Sequence, residues 1–537
     1  MTRSYSVSKS EKADQVPELP RTHRESLALL EKMRKSMLAG GGEDRRARQR
    51  AKGKHTARER IHLLVDDGSF IENQPYELSR IDDFGMDKKK ISGDGVITGS
   101  ALMGGRQVWM SSQDFTVLGG SLGEQHASKI AGTLQMALKT GKPFIQINDS
   151  GGARIQEGVM SLEGYGSIFR GNILASGVIP QISLIMGPCA GGAAYSPALT
   201  DFVFMVDKTS HMYITGPDVI RAVTGEDVSH ETLGGAVAHN SLSGNAHFNC
   251  SSEDECLLTV SKLLTFIPSS NKETPPVVDS KDDPNRDTSD ILRIIPGQSN
   301  RPYDIRDIIA LLFDKDCEFL EVHKYFARSM VVGFSRLGGR SVGVIGNQPN
   351  VFAGALNRDS SDKAARFIRF CDSFGIPIVS LVDVPGYMPG TEQEHGGIIR
   401  HGAKLLYAIA EATVPKLALV LRKAYGGAYI GMASKALGYD RVLALPIAEI
   451  AVMGASGAAN IIFRNEIKAA KDSDLIREIK MHEYQEKFMN PFSAASLGIV
   501  DDVVAPESVR KELIRSMEMC ADKQETLPYK KHGNIPL

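Results

Sequence analysis

The chain has 537 residues, 42% of them hydrophobic and 24% charged, and its formal net charge at pH 7 is −1. A charge this close to zero gives no sign of nucleic-acid binding, and the length exceeds what one hydrophobic core can serve, so we expect two domains of about 250 residues each. The six cysteines include no C-x-x-C pair, which argues against a zinc ribbon and is typical of a reducing compartment.

The N-terminal residues are polar and predict no signal peptide, and the acidic residues Glu11, Asp14 and Glu18 argue against a transit peptide. We expect residues 1–20 to be loosely ordered. The most apolar window, residues 177–195, is interrupted by prolines and glycines, so it predicts a buried strand and a turn rather than a membrane span. We therefore expect a cytoplasmic protein without a membrane segment.

Helices and strands alternate through the first half of the chain. Apolar residues recur at helical spacing over residues 22–38 and predict a helix. Further along, the pattern predicts two helices, at 123–139 and 164–177, and four strands, at 95–98, 107–110, 143–147 and 182–186. The last two strands are largely apolar, as in sheets buried on both faces, and the alternation is typical of the α/β class.

A basic segment follows the first predicted helix. Its basic residues are Arg45, Arg46, Arg48, Arg50, Lys52, Lys54, Arg58 and Arg60. Two interpretations remain open: these residues form a solvated helix face, or they contact an anionic ligand such as a nucleotide phosphate.

Residues 267–302 break the alternation because they are rich in proline, serine and charge, which is typical of a linker. The second half then resumes it. We predict strands at 378–382 and 417–421, a helix at 396–413 and another from Tyr429. The predicted domains are 1–272 and 303–537, with residues 273–302 as the linker.

The two halves contain a matching segment. Pro180 and Pro415 each open an apolar run 11 residues before a Gly-Gly-Ala turn, which starts at Gly191 and at Gly426; the preceding Gly-x-Pro openings lie 37 and 38 residues earlier. A single such turn marks only a tight bend. Two at matched offsets, each after a strand and before a helix, favour paired sites where backbone amides stabilise a negatively charged oxygen, at about 3–4 kcal/mol per donor.

Other motifs carry weaker signals. Residues 119–123 match G-x-S-x-G, so Ser121 is a candidate nucleophile, but no Asp and His partners are evident and a structural turn is the alternative. Residues 149–154 resemble a phosphate-binding nest without the Lys and Ser/Thr of a Walker A loop, and residues 383–390 are the matching loop. His395 and His401 are six residues apart, which does not make a helix-face metal pair, so we predict no metal.

Several segments together resemble the carboxyltransferase β subunits of biotin-dependent acyl-CoA carboxylases, from about residue 20 to the C-terminus. The segments that carry the resemblance are 52–60, 114–123, 148–154, 187–193, 383–386 and 422–429. The resemblance implies an α/β fold of two crotonase-like (ClpP/crotonase superfamily) ββα-superhelix domains in one chain. It also implies a six-subunit ring, in which the N-terminal domain binds acyl-CoA and the C-terminal domain of a neighbouring subunit binds carboxybiotin.

The activity that the resemblance implies is transfer of CO2 from carboxybiotin to the α-carbon of acetyl-CoA or propionyl-CoA, giving malonyl-CoA or methylmalonyl-CoA. The carrier would be a partner, the biotin carboxylase and biotin carboxyl carrier protein (α) subunit. In the family the biotin ureido nitrogen takes the α-proton, so no side-chain base is needed. The alternative is the same component of a methylmalonyl-CoA transcarboxylase or decarboxylase. Hypotheses of other classes are a serine hydrolase using Ser121 and a non-catalytic CoA-binding scaffold.

The resemblance also assigns site residues. It implies that Gly191 and Gly192 hold the thioester oxygen and that Gly427 and Ala428 hold the ureido oxygen. The implied substrate-binding residues are Ser150, Gly151, Gly152, Ala153, Ala190, Ala193, Tyr429 and Ile430, and the implied biotin-binding residues are Gly386, Tyr387 and Gly426. Propionyl-preferring members have Asp where this chain has Ile430, so we expect turnover of both acetyl-CoA and propionyl-CoA.

Overall fold

The computed structural model describes residues 22–537, so the prediction for residues 1–20 lies outside the described residues. The first half forms one mixed eight-stranded sheet. Its strands are β1 (Ile71–Asn73), β2 (Val96–Met103), β3 (Arg106–Gln113), β4 (Phe144–Ser150), β5 (Gln181–Ala190), β6 (Phe202–Val206), β7 (His211–Tyr213) and β8 (Phe248–Cys250). They are ordered β1-β2-β3-β4-β5-β6-β8, with β7 paired to the end of β5.

The second half repeats this sheet. Its strands are β9 (Leu320–Val322), β10 (Met330–Leu337), β11 (Arg340–Asn347), β12 (Ile378–Val384), β13 (Lys416–Tyr425), β14 (Arg441–Ala444), β15 (Glu449–Ala451) and β16 (Asp502–Val503). Their order is β9-β10-β11-β12-β13-β14-β16, with β15 on the end of β13. In both sheets the first three strands are antiparallel and the following strands parallel. The sequence repeat is therefore a repeat of whole sheets.

Helices cover both sheets. Those of the first half are α1 (His23–Ala39), α2 (Glu43–Ala51), α3 (Ala57–Leu64), α4 (Glu124–Thr140), α5 (Val159–Ala175), α6 (Gly192–Ala198), α7 (Pro217–Thr224), α8 (His230–Gly234), α9 (Ala236–Ser241) and α10 (Glu253–Leu264). Those that follow are α11 (Ile291–Ile294), α12 (Ile305–Leu312), α13 (Arg358–Ser373), α14 (Thr391–His395), α15 (Ile398–Glu411), α16 (Gly426–Ala433), α17 (Ala455–Ile462), α18 (Arg464–Ala469), α19 (Ser473–Phe488), α20 (Pro491–Ser496) and α21 (Val509–Met519).

The predicted helices and strands are confirmed, with shifted ends. Helix α1 begins after Thr22, whose side chain forms a capping box with Glu25. Helix α5 begins five residues before the prediction, after Gly158, and α16 begins at Gly426 rather than Tyr429. Helix α5 follows the positive-φ Gly158 and α16 begins with the positive-φ Gly426, and the apolar periodicity could reveal neither bend.

The two sheets meet in a shared apolar core. Phe202 on β6 packs edge-on against Phe370 on α13, with ring centroids 4.6 Å apart, and it also meets Phe334 on β10 at 6.0 Å. The segment predicted as a linker packs against the second half, because Arg286 donates to the Leu311 carbonyl at 2.7 Å and Ile291 is fully buried. The domain boundaries at 272 and 303 stay a prediction.

Candidate active site

The first glycines of the two Gly-Gly-Ala turns have nearly the same positive φ. Gly191 follows β5 with φ +59° and ψ −122°, and α6 begins at the next residue. Gly426 follows β13 with φ +58° and is the first residue of α16. A side chain disfavours both conformations, so glycine is required there. The first amides of each helix have no intrahelical acceptor and form the positive end of the helix dipole.

One of the predicted donors is already engaged. The Gly191 amide donates to the Tyr213 carbonyl at 3.0 Å, which corrects its assignment as a donor to the substrate. Gly191 supplies the bend instead. The donors that remain at this turn are the amides of Gly192 and Ala193, which lie in the first turn of α6.

Both turns reach the surface of the chain. Gly191 and Gly192 are partly exposed and Gly427 is exposed, whereas the methyl groups of Ala193 and Ala428 are buried. The alanines therefore anchor the turns while the neighbouring glycines leave backbone open to a ligand.

The loop after β4 packs beside the first turn, since a Cβ on Gly152 would lie 3.0 Å from the Ala190 carbonyl oxygen. Its amides bond within the protein: Gly151 donates to Gly119 at 2.9 Å, and Gly152 donates to the Ser150 hydroxyl at 3.2 Å. That hydroxyl in turn donates to the Gly120 carbonyl. The interpretation of this loop as a phosphate-binding nest is therefore wrong, and Ala153 lies partly exposed beyond it.

The matching loop after β12 approaches the second turn. A Cβ on Gly427 would lie 3.6 Å from the ring of Tyr387, which follows Gly386. Burial raises the pKa of Tyr387 to about 12, so this hydroxyl stays protonated at neutral pH. On α16, Tyr429 is half-buried and Ile430 is 44% exposed. The structure thus gathers the predicted biotin-binding residues and Ile430 around one turn.

The end of the basic segment is buried, which neither interpretation of it foresaw. Arg60 is fully buried and pairs with Asp149 at 3.0 Å and with Glu253 at 2.7 Å. Lys54 also pairs with Asp149, at 2.8 Å, and burial lowers its pKa. These charges join α3 and α10 to the end of β4, directly before the loop at the first turn. These ion pairs position the end of β4, and their role is visible only from partners that are distant in sequence.

The second half has a parallel ion pair. Asp383 near the end of β12 accepts from Arg422 on β13 at 3.0 Å. Arg422 also donates to the carbonyls of Gln298 and Arg301, at 3.2 and 3.0 Å. A buried Asp–Arg pair thus supports each strand end that precedes a predicted site loop.

The start of the basic segment lines an open cavity of about 1020 Å³. The cationic residues around it are Arg45, Arg48, Lys52, Lys88, Lys89 and Lys90. Gly119 also lines it, and the Gly119 carbonyl accepts from Gly151 in the loop at the first turn. The ligand interpretation therefore suits this part of the segment, with Lys88 to Lys90 missed because they are distant in sequence.

The structure gives the remaining motifs local roles. The Ser121 hydroxyl donates to the Leu118 carbonyl at 2.9 Å, in a turn where Gly119 and Gly120 both have φ +65°. His401 pairs with Asp362 at 2.7 Å. Within residues 22–537 no group of three or more His, Cys, Asp or Glu could hold a metal ion, and no helix is long and apolar enough to cross a bilayer.

The chain is thus an α/β protein built from two copies of one sheet, each with a Gly-Gly-Ala turn at the start of a helix. Residues 48–535 match the carboxyl transferase domain, and the chain belongs to this family. The predicted family resemblance, the α/β fold of two crotonase-like domains and the carboxyltransferase class are confirmed.

Named relatives match over almost their whole length. The chain is 55% identical over 508 residues to a propionyl-CoA carboxylase carboxyltransferase subunit of Haloferax mediterranei, covering 95% of this chain and 98% of the relative. It is 54% identical to the methylmalonyl-CoA decarboxylase subunit alpha of Veillonella parvula, covering 96% and 100%. A crystal structure of transcarboxylase 12S, described as a hexamer with methylmalonyl-coenzyme A and methylmalonic acid bound, superposes with a TM-score of 0.95 at 52% identity, covering 97% and 100%.

Proposed function

We propose that this chain catalyses the carboxyltransferase half-reaction of a biotin-dependent acyl-CoA carboxylase, with biotin carried by a partner subunit. The substrates are acetyl-CoA and propionyl-CoA. The pair of matched Gly-Gly-Ala turns in a carboxyl transferase domain carries the proposal. The same component of a methylmalonyl-CoA transcarboxylase or decarboxylase is the second candidate, because relatives with both names match this chain at 52–54% identity.

In this proposal the amides of Gly192 and Ala193 bind the thioester oxygen, and those of Gly427 and Ala428 bind the ureido oxygen of biotin. Carboxybiotin supplies the CO2 and the base. The amides stabilise charge that grows on oxygen as the α-proton leaves, and because they are fixed before the reaction they need no reorganisation. Neutral amide donors suit a ureido carbonyl, and the exposure of Gly427 supports access for a carrier domain.

The basic cavity is the proposed site of the CoA phosphates. Its six cations outnumber the two acidic residues on its wall, Glu43 and Asp44. Gly119 lines this cavity, and its carbonyl accepts from Gly151 in the loop that packs beside the first turn. A CoA bound in the cavity would therefore direct its thioester to that turn. We expect Lys52→Gln to raise KM for acetyl-CoA several-fold with kcat retained, and Arg293→Gln, at an exposed position of α11, to change neither. The proposal that the 3′-phosphate binds in this cavity would be rejected by an unchanged KM. It would also be rejected if Lys52→Gln raised KM equally for a thioester of CoA and for one of dephospho-CoA.

Ile430 is the proposed residue at the acyl end of the pocket. Its partly exposed apolar side chain beside Tyr429 gives no polar group to select an acyl chain. We therefore expect both acetyl-CoA and propionyl-CoA to be used, and Ile430→Asp to shift the ratio of their kcat/KM values toward propionyl-CoA. An unchanged ratio would exclude Ile430 from acyl selection.

The proposed active site lies between two copies of the chain. Ile214 beside the first turn is 66% exposed and Val452 beside the second is 75% exposed, so each turn carries an apolar flank that a second copy would cover. We propose a hexamer, in which each N-terminal half faces a neighbour's C-terminal half. Light scattering should give about 350 kDa for six copies of a 58.3-kDa chain. A monomer that is fully active would contradict a shared site.

The decisive assay is carboxylation of free biotin by malonyl-CoA and methylmalonyl-CoA, using the purified chain alone. Transfer without ATP is expected from the half-reaction, and CoA binding without transfer would instead support a scaffold. Ser121→Ala should leave transfer intact, whereas esterase activity lost in that variant would support a hydrolase. Streptavidin capture from the native host should retain this chain through a biotinylated partner.

A further inference from the structure

Helix α5 lies beneath α6, the helix that begins at the first turn. Three residues of α5 at positions i, i+4 and i+7 make the contacts, so they share one face of that helix. Tyr165 meets Gly192, Phe169 meets Tyr195 with ring centroids 6.4 Å apart, and the Asn172 side-chain oxygen accepts from the Ser196 hydroxyl at 3.0 Å. The short helix α6 is therefore held along its length by one neighbour.

The contact at Gly192 is the closest of these. A Cβ on Gly192 would lie 2.7 Å from two ring atoms of Tyr165 and 2.9 Å from a third. Three ring atoms at nearly equal distances place the face of the ring directly under the Gly192 backbone. The equivalent residue of the second turn, Gly427, has room for a Cβ, with the nearest ring atom 3.6 Å away. The tight aromatic floor is thus a property of the first turn.

The Tyr165 side chain is itself rigidly held. It is only 4% exposed, and Gly164 beside it packs so closely on α4 that a Cβ there would lie 2.6 Å from the Ala127 methyl. Burial raises the pKa of Tyr165, so the phenol is neutral. Its hydroxyl lies beside Ser150 and has no hydrogen-bond partner in the described structure. The ring, rather than the hydroxyl, makes the contact that bears on the turn.

We propose that Tyr165 is a positioning residue of the first oxyanion site, and that contact with its ring face fixes the distance between the Gly192 amide and the bound oxygen. The inference rests on the proposed function, because it assigns a support to a donor of that reaction. A donor must lie within about 2.7–3.1 Å of the developing oxyanion, so a shift of a few tenths of an ångström reduces transition-state stabilisation. Tyr165 would therefore act on kcat more than on KM.

The test measures carboxyl transfer from malonyl-CoA to free biotin in four variants. Tyr165→Leu removes the flat floor, and we expect kcat to fall about 10-fold with KM within about two-fold. Tyr165→Phe keeps the ring and should retain most of kcat. Gly192→Ala forces a methyl group against the ring and should lower kcat about 100-fold. The double variant with Tyr165→Leu relieves that overlap and should be more active than Gly192→Ala alone.

Gly166→Ala is the matched control, because it adds a methyl group one residue along the same helix where nothing lies within 4 Å. The inference is overturned if Tyr165→Leu keeps wild-type kcat, if Tyr165→Phe loses as much as Tyr165→Leu, or if the double variant is no better than Gly192→Ala. Should Tyr165→Leu not fold, a kcat of Gly192→Ala within about three-fold of Gly166→Ala would overturn it. Wild-type chain without any transfer would reject the proposed function and this role together.

Discussion

Replacing Gly191 with alanine isolates the backbone bend from every side-chain contact. At φ +59° and ψ −122° an alanine is strongly strained. Its methyl group would nevertheless have space, since the nearest atom is the Ile214 carbonyl oxygen at 3.7 Å. The perturbation is therefore conformational rather than a clash. Such strain costs about 1–3 kcal/mol, which the chain can relieve by rotating the peptide that leads into α6.

That rotation would turn the Gly192 amide away from the proposed position of the thioester oxygen. Loss of one donor of this kind costs about 2.7–4 kcal/mol, or about 10²–10³-fold in kcat. We expect Gly191→Ala to show this loss in the malonyl-CoA to biotin transfer assay. A strain of about 1–3 kcal/mol in a chain of this size should lower the melting temperature of the variant by about 10 °C or less.

Gly104→Ala provides the control. Gly104 lies in the hairpin between β2 and β3, has φ +54° and has nothing within 4 Å of an added Cβ. Gly104→Ala also puts an alanine at positive φ, but 87 residues before the first turn, so it should lower stability without lowering kcat. If Gly191→Ala retains kcat within about three-fold of wild type, the Gly192 amide is not a donor that Gly191 orients. Equal activity losses in both variants would mean that the effect is global.

Two further predictions concern buried charge. Arg60→Met leaves the Asp149 and Glu253 carboxylates short of a buried partner, so chemical denaturation should show a loss of about 3–5 kcal/mol; an unchanged midpoint would contradict the burial of this pair. Burial, with help from nearby cations, lowers the pKa of His323 from 6.5 to about 3. Between those pH values the unfolded chain binds a proton that the folded chain does not, so stability should fall as the pH drops from 6.5, by up to about 1.4 kcal/mol per pH unit. Asn tolerates the φ of +55° at this position, so His323→Asn should flatten the decline in urea midpoints between pH 7 and 5, whereas parallel profiles would refute the assignment.

The amino-acid sequence determined the repeat, the strand and helix pattern and the two Gly-Gly-Ala turns. These features are local: continuous apolar runs mark strands buried on both faces, and a glycine pair after such a run marks a bend that other residues disfavour. Gly191 and Gly426 could therefore be identified as equivalent from spacing alone, and their φ values agree to within a degree.

Tertiary structure decided which polar groups are free and which are occupied. The Gly191 amide is taken by Tyr213, and Arg60 is neutralised by Asp149 and Glu253 from distant elements. Tyr165 beneath Gly192 has no sequence signal either, because its partner lies on another helix 27 residues along the chain. Hydrogen bonds, ion pairs and ring contacts of this kind depend on distances between segments, and spacing within one segment does not contain them.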